Sequence, residues 1–345
     1  MAVRKKIIFI MNPISGTVKK AGIPDFIKAH LDKEVFDYSI VETEYGGHAF
    51  NIARKAADDG CEYVVAIGGD GTVNEVGRAV VHTETAMGII PCGSGNGLAR
   101  HLMIPLDIKK SLDIINLQIV HKLDYGKINE YPFFCTCGMG FDAYVSMKFA
   151  ESGKRGAVTY LENILKEGLK YKSEKYKIVS EEYSSERRAF LVSCANASQY
   201  GNNAYIAPQA SMSDGLLDVT IMEPLDIMDA PQISIDMFNK TINRNHKITT
   251  FKTRHIHVSR EHEGVIHYDG DPVMAGKDID ISIFSKGIKI IVNPYADKTK
   301  RPPNMMQNVF SDLFNAISTV RTDIGKQGKH IQVINKNILK KLNNL

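Results

Sequence analysis

Three things are missing from this chain: a long apolar run, a paired-cysteine framework and the two commonest nucleotide motifs. No stretch approaches the roughly 20 apolar residues a membrane helix needs. The start, Arg4-Lys5-Lys6 followed by IIFIM, is basic and then apolar, but too short for a signal peptide, and reads as a first strand. Five cysteines, at 61, 92, 135, 137 and 194, are dispersed and odd in number. They fit a reducing cytosol and not a disulfide scaffold. Cys135-x-Cys137 puts two thiols on one face of a strand-like run; without CxxC or a nearby histidine cluster they read as core. There are no internal repeats and no low-complexity segment. The glycine-rich stretch below is neither GxGxxG nor a GK[ST] P-loop. Net charge is also absent from most of the chain. From Pro302 onward six Lys/Arg face two acids, and the remaining 37 basic and 37 acidic residues cancel. A neutral body gives nucleic acid no electrostatic footprint.

At 345 residues, 43% hydrophobic and 24% charged, the chain suits two globular domains. It is organised around VVAIGGDGTVNE at 64–75. Residues 64–67 read as a buried strand ending at Gly68. Gly68-Gly69-Asp70-Gly71 removes every Cβ but one, so a phosphate chain can approach the backbone. Thr72-x-x-Glu75 fits a capping box that opens a helix at Thr72. Strand, glycine turn and helix N-terminus together direct amide N–H groups at an anion. Asp70, a lone carboxylate among glycines, has no evident packing role. The plainer reading is a tight strand–helix turn.

Residues 1–126 alternate strand and helix. Strands are expected over 7–12, 37–43, 64–67 and 87–91, and helices over 24–31, from 49 to Gly60, after Thr72 and over 107–117. That order implies a doubly wound, mostly parallel α/β domain with helices on both faces. Ligands in such sheets sit at the carboxyl ends of strands. Each end here carries unusual residues: Asn12-Pro13-Ile14-Ser15-Gly16, then Thr43 to His48, then GGDGT, then Gly93-Ser94-Gly95-Asn96-Gly97. Four such loops on one edge would surround a nucleotide with donors. His48 reads as the start of a helix.

Residues 127–297 read as a β-rich antiparallel sandwich whose end returns, on one reading, to the first domain. Strand-like runs fall at 132–137, 175–179, 189–195, 216–222, 248–259, 264–268, 279–284 and 288–292, with helices near 157–169 and 226–239. Residues 298–303 form a polar linker, and 298–345 a basic tail.

The motifs NPISG, GGHA, GGDGTVNEV, PCGSGNGLAR, KLDYGKIN, GMGFDAYV, YGNNAYIAPQASMSDGLLDV and DGD follow one another from 12 to 271. In this order they resemble the diacylglycerol kinase catalytic family, which includes bacterial lipid kinases and sphingosine kinases, over roughly residues 5–296. The resemblance implies ATP in the cleft and a lipid alcohol as acceptor. It implies nucleotide contacts from Asn12, Pro13, Ile14, Ser15, Gly16, Thr43, Gly68, Gly69, Asp70, Gly71, Thr72, Val73, Asn74 and Ser94. Asp70 matches the family's central acid. Asp271 matches the base of a DGE motif, here one methylene shorter. A structural Mg²⁺ would sit at Ser211, Asp214 and Leu216, supported by Asp124. Asp142 would meet the lipid head, with Lys154 and Arg155 at phosphate. Taken singly, Asp214-Gly215 and 269–271 are ordinary turns, Asp124 a strand-end acid, Asp142 a helix cap and Lys154-Arg155 solvated charge.

The expectation is an ATP- and Mg²⁺-dependent lipid kinase acting on a diacylglycerol-like or sphingoid hydroxyl, with Asp271 or Asp70 as proton acceptor. Asp in place of Glu at 271 keeps open a silent nucleotide- or lipid-binding regulator. An NAD kinase is the second enzyme reading, with NPISG and DGD against it. In the tail, Met306, Val309, Phe310, Leu313, Phe314, Ile317 and Val320 define one apolar helical face. Such a face fits peripheral contact with the inner membrane surface from the cytoplasm. The alternative packs it on the body or on a second subunit, as in a homodimer.

Overall fold

The structure is a computed structural model that describes residues 3–14, 20–152, 171–226 and 229–296. In the first half, strands β1 (Lys5–Met11), β2 (Phe36–Glu42), β3 (Tyr63–Gly68) and β4 (Ala86–Pro91) run parallel in the order β2-β1-β3-β4. Every residue of β3 and β4 is buried, as strands covered on both faces must be. Helices α1 (Ile23–His30), α2 (His48–Asp58), α3 (Asp70–Val80), α4 (Gly97–His101) and α5 (Ile108–Leu117) supply the cover. Ile27 of α1 and Leu112 of α5 pack on one face with Phe9 and Val65. Ala53 of α2 and Val76 of α3 pack on the other with Ile10 and Val64. His48 opens α2 as the sequence suggests.

The second half is a sandwich. Strand β5 (Val120–Ile128) leads into β6 (Tyr131–Phe133), β7 (Thr136–Gly140), helix α6 (Phe141–Ser152), β8 (Glu174–Ser180), β9 (Ser184–Ala189), β10 (Leu191–Ala195) and β11 (Leu217–Met222). Helix α7 (Ala230–Asn239), β12 (Ile248–Thr253), β13 (His255–Arg260), β14 (Gly264–Tyr268), β15 (Asp271–Ala275) and β16 (Asp278–Ile291) complete it. One antiparallel sheet has the order β12-β11-β10-β7-β14-β15. Its inner face, with Met139, Val192, Val219 and Ile266, packs on Ile178, Ile256 and Ile281 from β8, β13 and β16. Strand β16 joins the two halves. It pairs antiparallel with β13, then reaches β4 in parallel at Ile290↔Met87, with a bulge between Phe284 and Ile288.

Several expected elements divide. The run 248–259 is two strands in different sheets: Thr253 pairs with Leu217, whereas Ile256 pairs with Ser180. The run 132–137 likewise divides into β6 and β7. Strand β9, SSERRA, precedes β10; it is a polar sheet edge with Glu186, Arg187 and Arg188 in succession, so no apolar run announces it. Helix α7 starts at 230 and not 226, because Pro231 is tolerated only in a first turn. The expected helix at 157–169, the linker and the tail lie outside the described residues.

Candidate active site

The ends of β1, β2 and β3 are laced together by backbone. Asn12 N–H donates to the Ile67 carbonyl at 3.2 Å, and Thr43 N–H to that of Met11 at 2.8 Å. The Asn12 amide also donates to Thr72 Oγ1 at 3.4 Å. The GGDGT and GSGNG loops touch directly: a Cβ on Gly93 would lie 2.5 Å from Gly69 Cα. Only glycine permits that approach.

Asp70 spans the same two loops. Its Oδ2 accepts the Asn96 N–H at 2.9 Å and its Oδ1 the Gly97 N–H at 2.7 Å. The carboxylate thus caps α4, which corrects the expectation that it has no packing role. Burial pushes the Asp70 carboxyl above its ordinary range; the two amides pull it back, and Asp269 adds to the rise.

The capping box is also corrected. Gly69 is extended and itself starts α3, so the helix begins at Asp70 and Thr72 is buried inside its first turn. Glu75 turns instead to the neighbouring helix, accepting the N–H groups of Gly47 at 2.9 Å and Ala49 at 3.1 Å. The first-turn amides of α3 have no carbonyl within the helix, and this is the end that meets the second wall of the cleft. Beneath it, buried Lys20 donates from Nζ to the Asn12 carbonyl, and its charge is felt at Cys92.

The second wall is the hairpin between β14 and β15. Asp269 (φ 49°) and Gly270 (φ 89°) form its two-residue turn, both left-handed as a type I′ turn requires. The Asp269 carboxylate accepts four N–H groups: Asn74 Nδ2 at 2.8 Å and the backbones of Phe134, Cys135 and Thr136 at 2.8, 2.7 and 3.1 Å. It locks the hairpin onto α3 and onto the β6–β7 link.

That lock sets Asp271 against α3. A Cβ on Gly71 would lie 4.0 Å from both Asp271 carboxylate oxygens. Asp271 is exposed as a residue, while its carboxylate is crowded by α3 and by Asp269 and accepts no hydrogen bond from any described residue. Lost hydration, followed by the charge of Asp269, pushes it up to about 6; Glu75 and Asp70 add to this and Arg78 opposes it. Arg78, on α3, lies 5.6 Å from the Phe50 ring centroid, and its buried Nε has no partner among the described residues.

The remaining predicted residues divide by what their side chains do. Ser94 is exposed on its loop, and Ile14 is exposed beside Pro13. The Val73 side chain packs in the core, and the Asn74 amide is committed to Asp269 and to the Pro132 carbonyl. Asp124 is buried, its oxygens taken by the N–H groups of Gly215 at 2.8 Å and Lys286 at 2.7 Å. It secures the Asp214-Gly215 turn to the β16 bulge. Asp214 accepts from its own neighbour Leu216 and pairs with Lys252 Nζ at 2.7 Å, so an ammonium already stands beside it. Ser211 Oγ meets Ser213 Oγ at 3.1 Å. Among the described residues no group of three or more His, Cys, Asp or Glu is arranged to hold a metal. Asp142 is paired with His267 and Tyr200. Ser15, Gly16, Lys154 and Arg155 lie outside the described residues.

Asp269, His267 and Lys20 escape the sequence reading. Only the DGD motif hints at Asp269, and as a turn residue. His267 carries no local signal, since its partner Asp142 is 125 residues away, and no motif marks Lys20 although its partner Asn12 is near in sequence.

An α/β domain with glycine loops at its strand ends, closed by a sandwich hairpin bearing an acid, is the arrangement of a kinase-like phosphotransferase. The family models agree. Residues 6–128 match the diacylglycerol kinase catalytic domain, and residues 135–292 match the YegS C-terminal NAD kinase beta sandwich-like domain. The chain belongs to this diacylglycerol kinase-like family of lipid kinases. A protein named diacylglycerol kinase, from Staphylococcus saprophyticus, is 27% identical over 275 residues, covering 78% of this chain and 89% of its own. A "Probable lipid kinase YegS-like" of Cronobacter sakazakii is 25% identical over 265 residues, covering 75% and 84%. The crystal structure of a Bacillus anthracis diacylglycerol kinase superposes with a TM-score of 0.66 at 22% identity, over 85% of this chain and 99% of that one. It shares the fold. Among the described residues no helix is long and apolar enough to cross a membrane.

Proposed function

We propose that the protein transfers the γ-phosphate of ATP to a hydroxyl of a diacylglycerol-like or sphingoid lipid, with Asp271 as the proton acceptor. The observation that carries this assignment is the contrast between two acids. Asp70 has both oxygens engaged by amides, whereas Asp271 accepts no hydrogen bond from a described residue and is pushed up to about 6. A general base needs a free lone pair and a pKa near the working pH.

Gly69 to Thr72, with Ser94, present amides and a hydroxyl where a phosphate chain fits, and Lys20 adds positive charge nearby. Asp70 holds the two glycine loops in register. Asp271, on the opposite wall, takes the proton of the acceptor hydroxyl as its oxygen attacks. A Mg²⁺ ion bound with the nucleotide would supply neutralisation of the phosphate charge, and the acids of the two facing loops are the residues that would stand toward it. Burial raises Asp70, Asp269 and Asp271, and the charge of Asp269 adds to the rise at the other two, which a cation beside them would relieve. The expected structural Mg²⁺ fits poorly, because Lys252 already pairs with Asp214.

The test is transfer of labelled phosphate from ATP to a panel of lipids in mixed micelles, with NAD as a further acceptor. Labelling of a diacylglycerol or sphingoid lipid is expected; labelling of NAD alone, or of nothing, overturns the proposal. The basic tail supports a second proposal, peripheral binding to anionic membranes. It predicts salt-sensitive liposome binding by the full chain and none by a chain ending at Lys300.

A further inference from the structure

The face of the hairpin turned away from the cleft carries a polar network that phosphoryl transfer does not use directly. His267, on β14, is 2% exposed, and its Nε2 lies 3.0 Å from Asp142 Oδ2. The Tyr200 hydroxyl donates to the same oxygen at 2.9 Å, and Asp142 Oδ1 takes the Ala143 N–H at 2.8 Å. The other ring nitrogen of His267 accepts the Gly270 N–H at 3.4 Å. That bond assigns the tautomer: Nδ1 is the acceptor, so Nε2 carries the proton and donates to Asp142.

Two observations show that the chain makes room for this network. A Cβ on Gly138 would lie 2.8 Å from Asp142 Oδ2 and 3.3 Å from His267 Nε2, so the residue behind the pair has to be glycine. Asp142 itself is only 10% exposed, which leaves little of its carboxylate for a lipid head. On its far side the network reaches the phosphate loop. A Cβ on Gly97 would meet the Tyr200 carbonyl at 3.3 Å, and the Asn202 N–H donates to the Gly95 carbonyl at 3.1 Å.

We infer that Tyr200, Asp142 and His267 form a brace that sets the Asp269-Gly270-Asp271 turn relative to the GSGNG loop, with His267 a positioning residue for Asp271. The brace runs from Gly95 and Gly97 through Tyr200 and Asp142 to His267 and Gly270, one residue short of the base. It couples the loop that takes the donor's phosphates to the turn that takes the acceptor's proton. This rests on Asp271 being the base.

The experiment compares the full-length wild type with His267→Ala and His267→Gln. The glutamine keeps a donor near the place of Nε2. His267→Ala is expected to lower kcat about 10- to 100-fold, the cost of a displaced reacting group, while KM for ATP holds. Its acid limb in the pH profile moves to lower pH as Asp271 gains water. Asp271 is faced there by Asp269 on its own turn, by Tyr268 on β14, and by Asp70, Glu75 and Arg78 on α3. His267→Gln recovers most of kcat. Hydrogen exchange gives a readout independent of activity: in His267→Ala the amides of both 267–271 and 93–97 exchange faster than in His267→Gln. Unchanged kcat and pH profile in His267→Ala, or faster exchange confined to 267–271, overturns the brace. If the wild type phosphorylates no lipid, the proposed function falls, and the exchange comparison still decides this inference.

Discussion

The loop around Asp70 and the hairpin around Asp271 face each other across the cleft, and each presents an acid flanked by glycine. They differ in how the negative charge is met. Asp70 receives two backbone N–H groups from the start of α4. In the hairpin those roles are divided: Asp269 takes four N–H groups, and Asp271 is left with none from the described residues. A saturated carboxylate holds structure, and an unsaturated one is available to a proton. The hairpin puts one of each at adjacent turns of chain, so the first can hold the second in place.

The largest expected effect comes from removing the unsaturated acid. Asp271→Asn should lower turnover by roughly 10²-fold or more, the scale of a lost general base. Asp271→Glu should retain part of it. Labelled-phosphate transfer at pH 7.5 measures both.

Stability should separate the two regions by sign. The unfolded pKa of an aspartate is about 3.9, and the folded value at Asp271 is raised to about 6. The folded state therefore holds this proton more tightly, stability falls as pH rises between those values, and the cost persists above them. Asp271→Asn should melt higher than wild type at pH 7.5 and no differently below pH ~4. Asp70 is raised as well and carries the same kind of cost, but Asp70→Asn also turns an amide donor toward two N–H groups, and that loss of about 1–3 kcal/mol should outweigh the relief. If both variants moved the melting temperature in the same direction, the division of roles would fail.

Gly71, the residue opposite Asp271, offers a sharper form of the same contrast. Gly71→Ala adds helix propensity in α3, worth up to about 1 kcal/mol, while filling space between the first-turn amides and Asp271. Higher melting temperature with lower turnover is expected; unchanged turnover would mean that substrate does not pass there.

The smallest effect belongs to Asp214, an acid remote from both. Added Mg²⁺ should leave the wild-type melting temperature unchanged, because Lys252 already pairs with the carboxylate. Lys252→Ala should cost about 1–3 kcal/mol, because it also takes the ammonium from the mostly buried Asp218, and should make melting respond to Mg²⁺. A Mg²⁺-dependent wild type would restore the structural metal.

What the sequence revealed of these regions depended on how local each feature is. The β3–GGDGT–α3 unit is legible because strand, glycine turn and helix are contiguous. The start of that helix was misplaced by two residues because Thr72 and Glu75 match a capping box while Gly69 supplies the bend. Glu75 serves α2, a partner no spacing rule connects to it. Asp269 looks like any residue of a DG turn, since its backbone donors at 134–136 lie in a distant segment. Asp142 reads as a cap for the same reason, its partner His267 being 125 residues away. The sheet change at Arg254 is hidden inside one continuous β-prone run.

The measurement that bears most directly on the division of roles is the pH dependence of kcat/KM for lipid phosphorylation, in wild type and in Asp271→Asn. The wild type should lose activity as pH falls through an acid limb centred near 6, with the variant low and without that limb. An Asp271→Asn enzyme that kept the wild-type rate and the same limb would contradict the account and move the proton to another group.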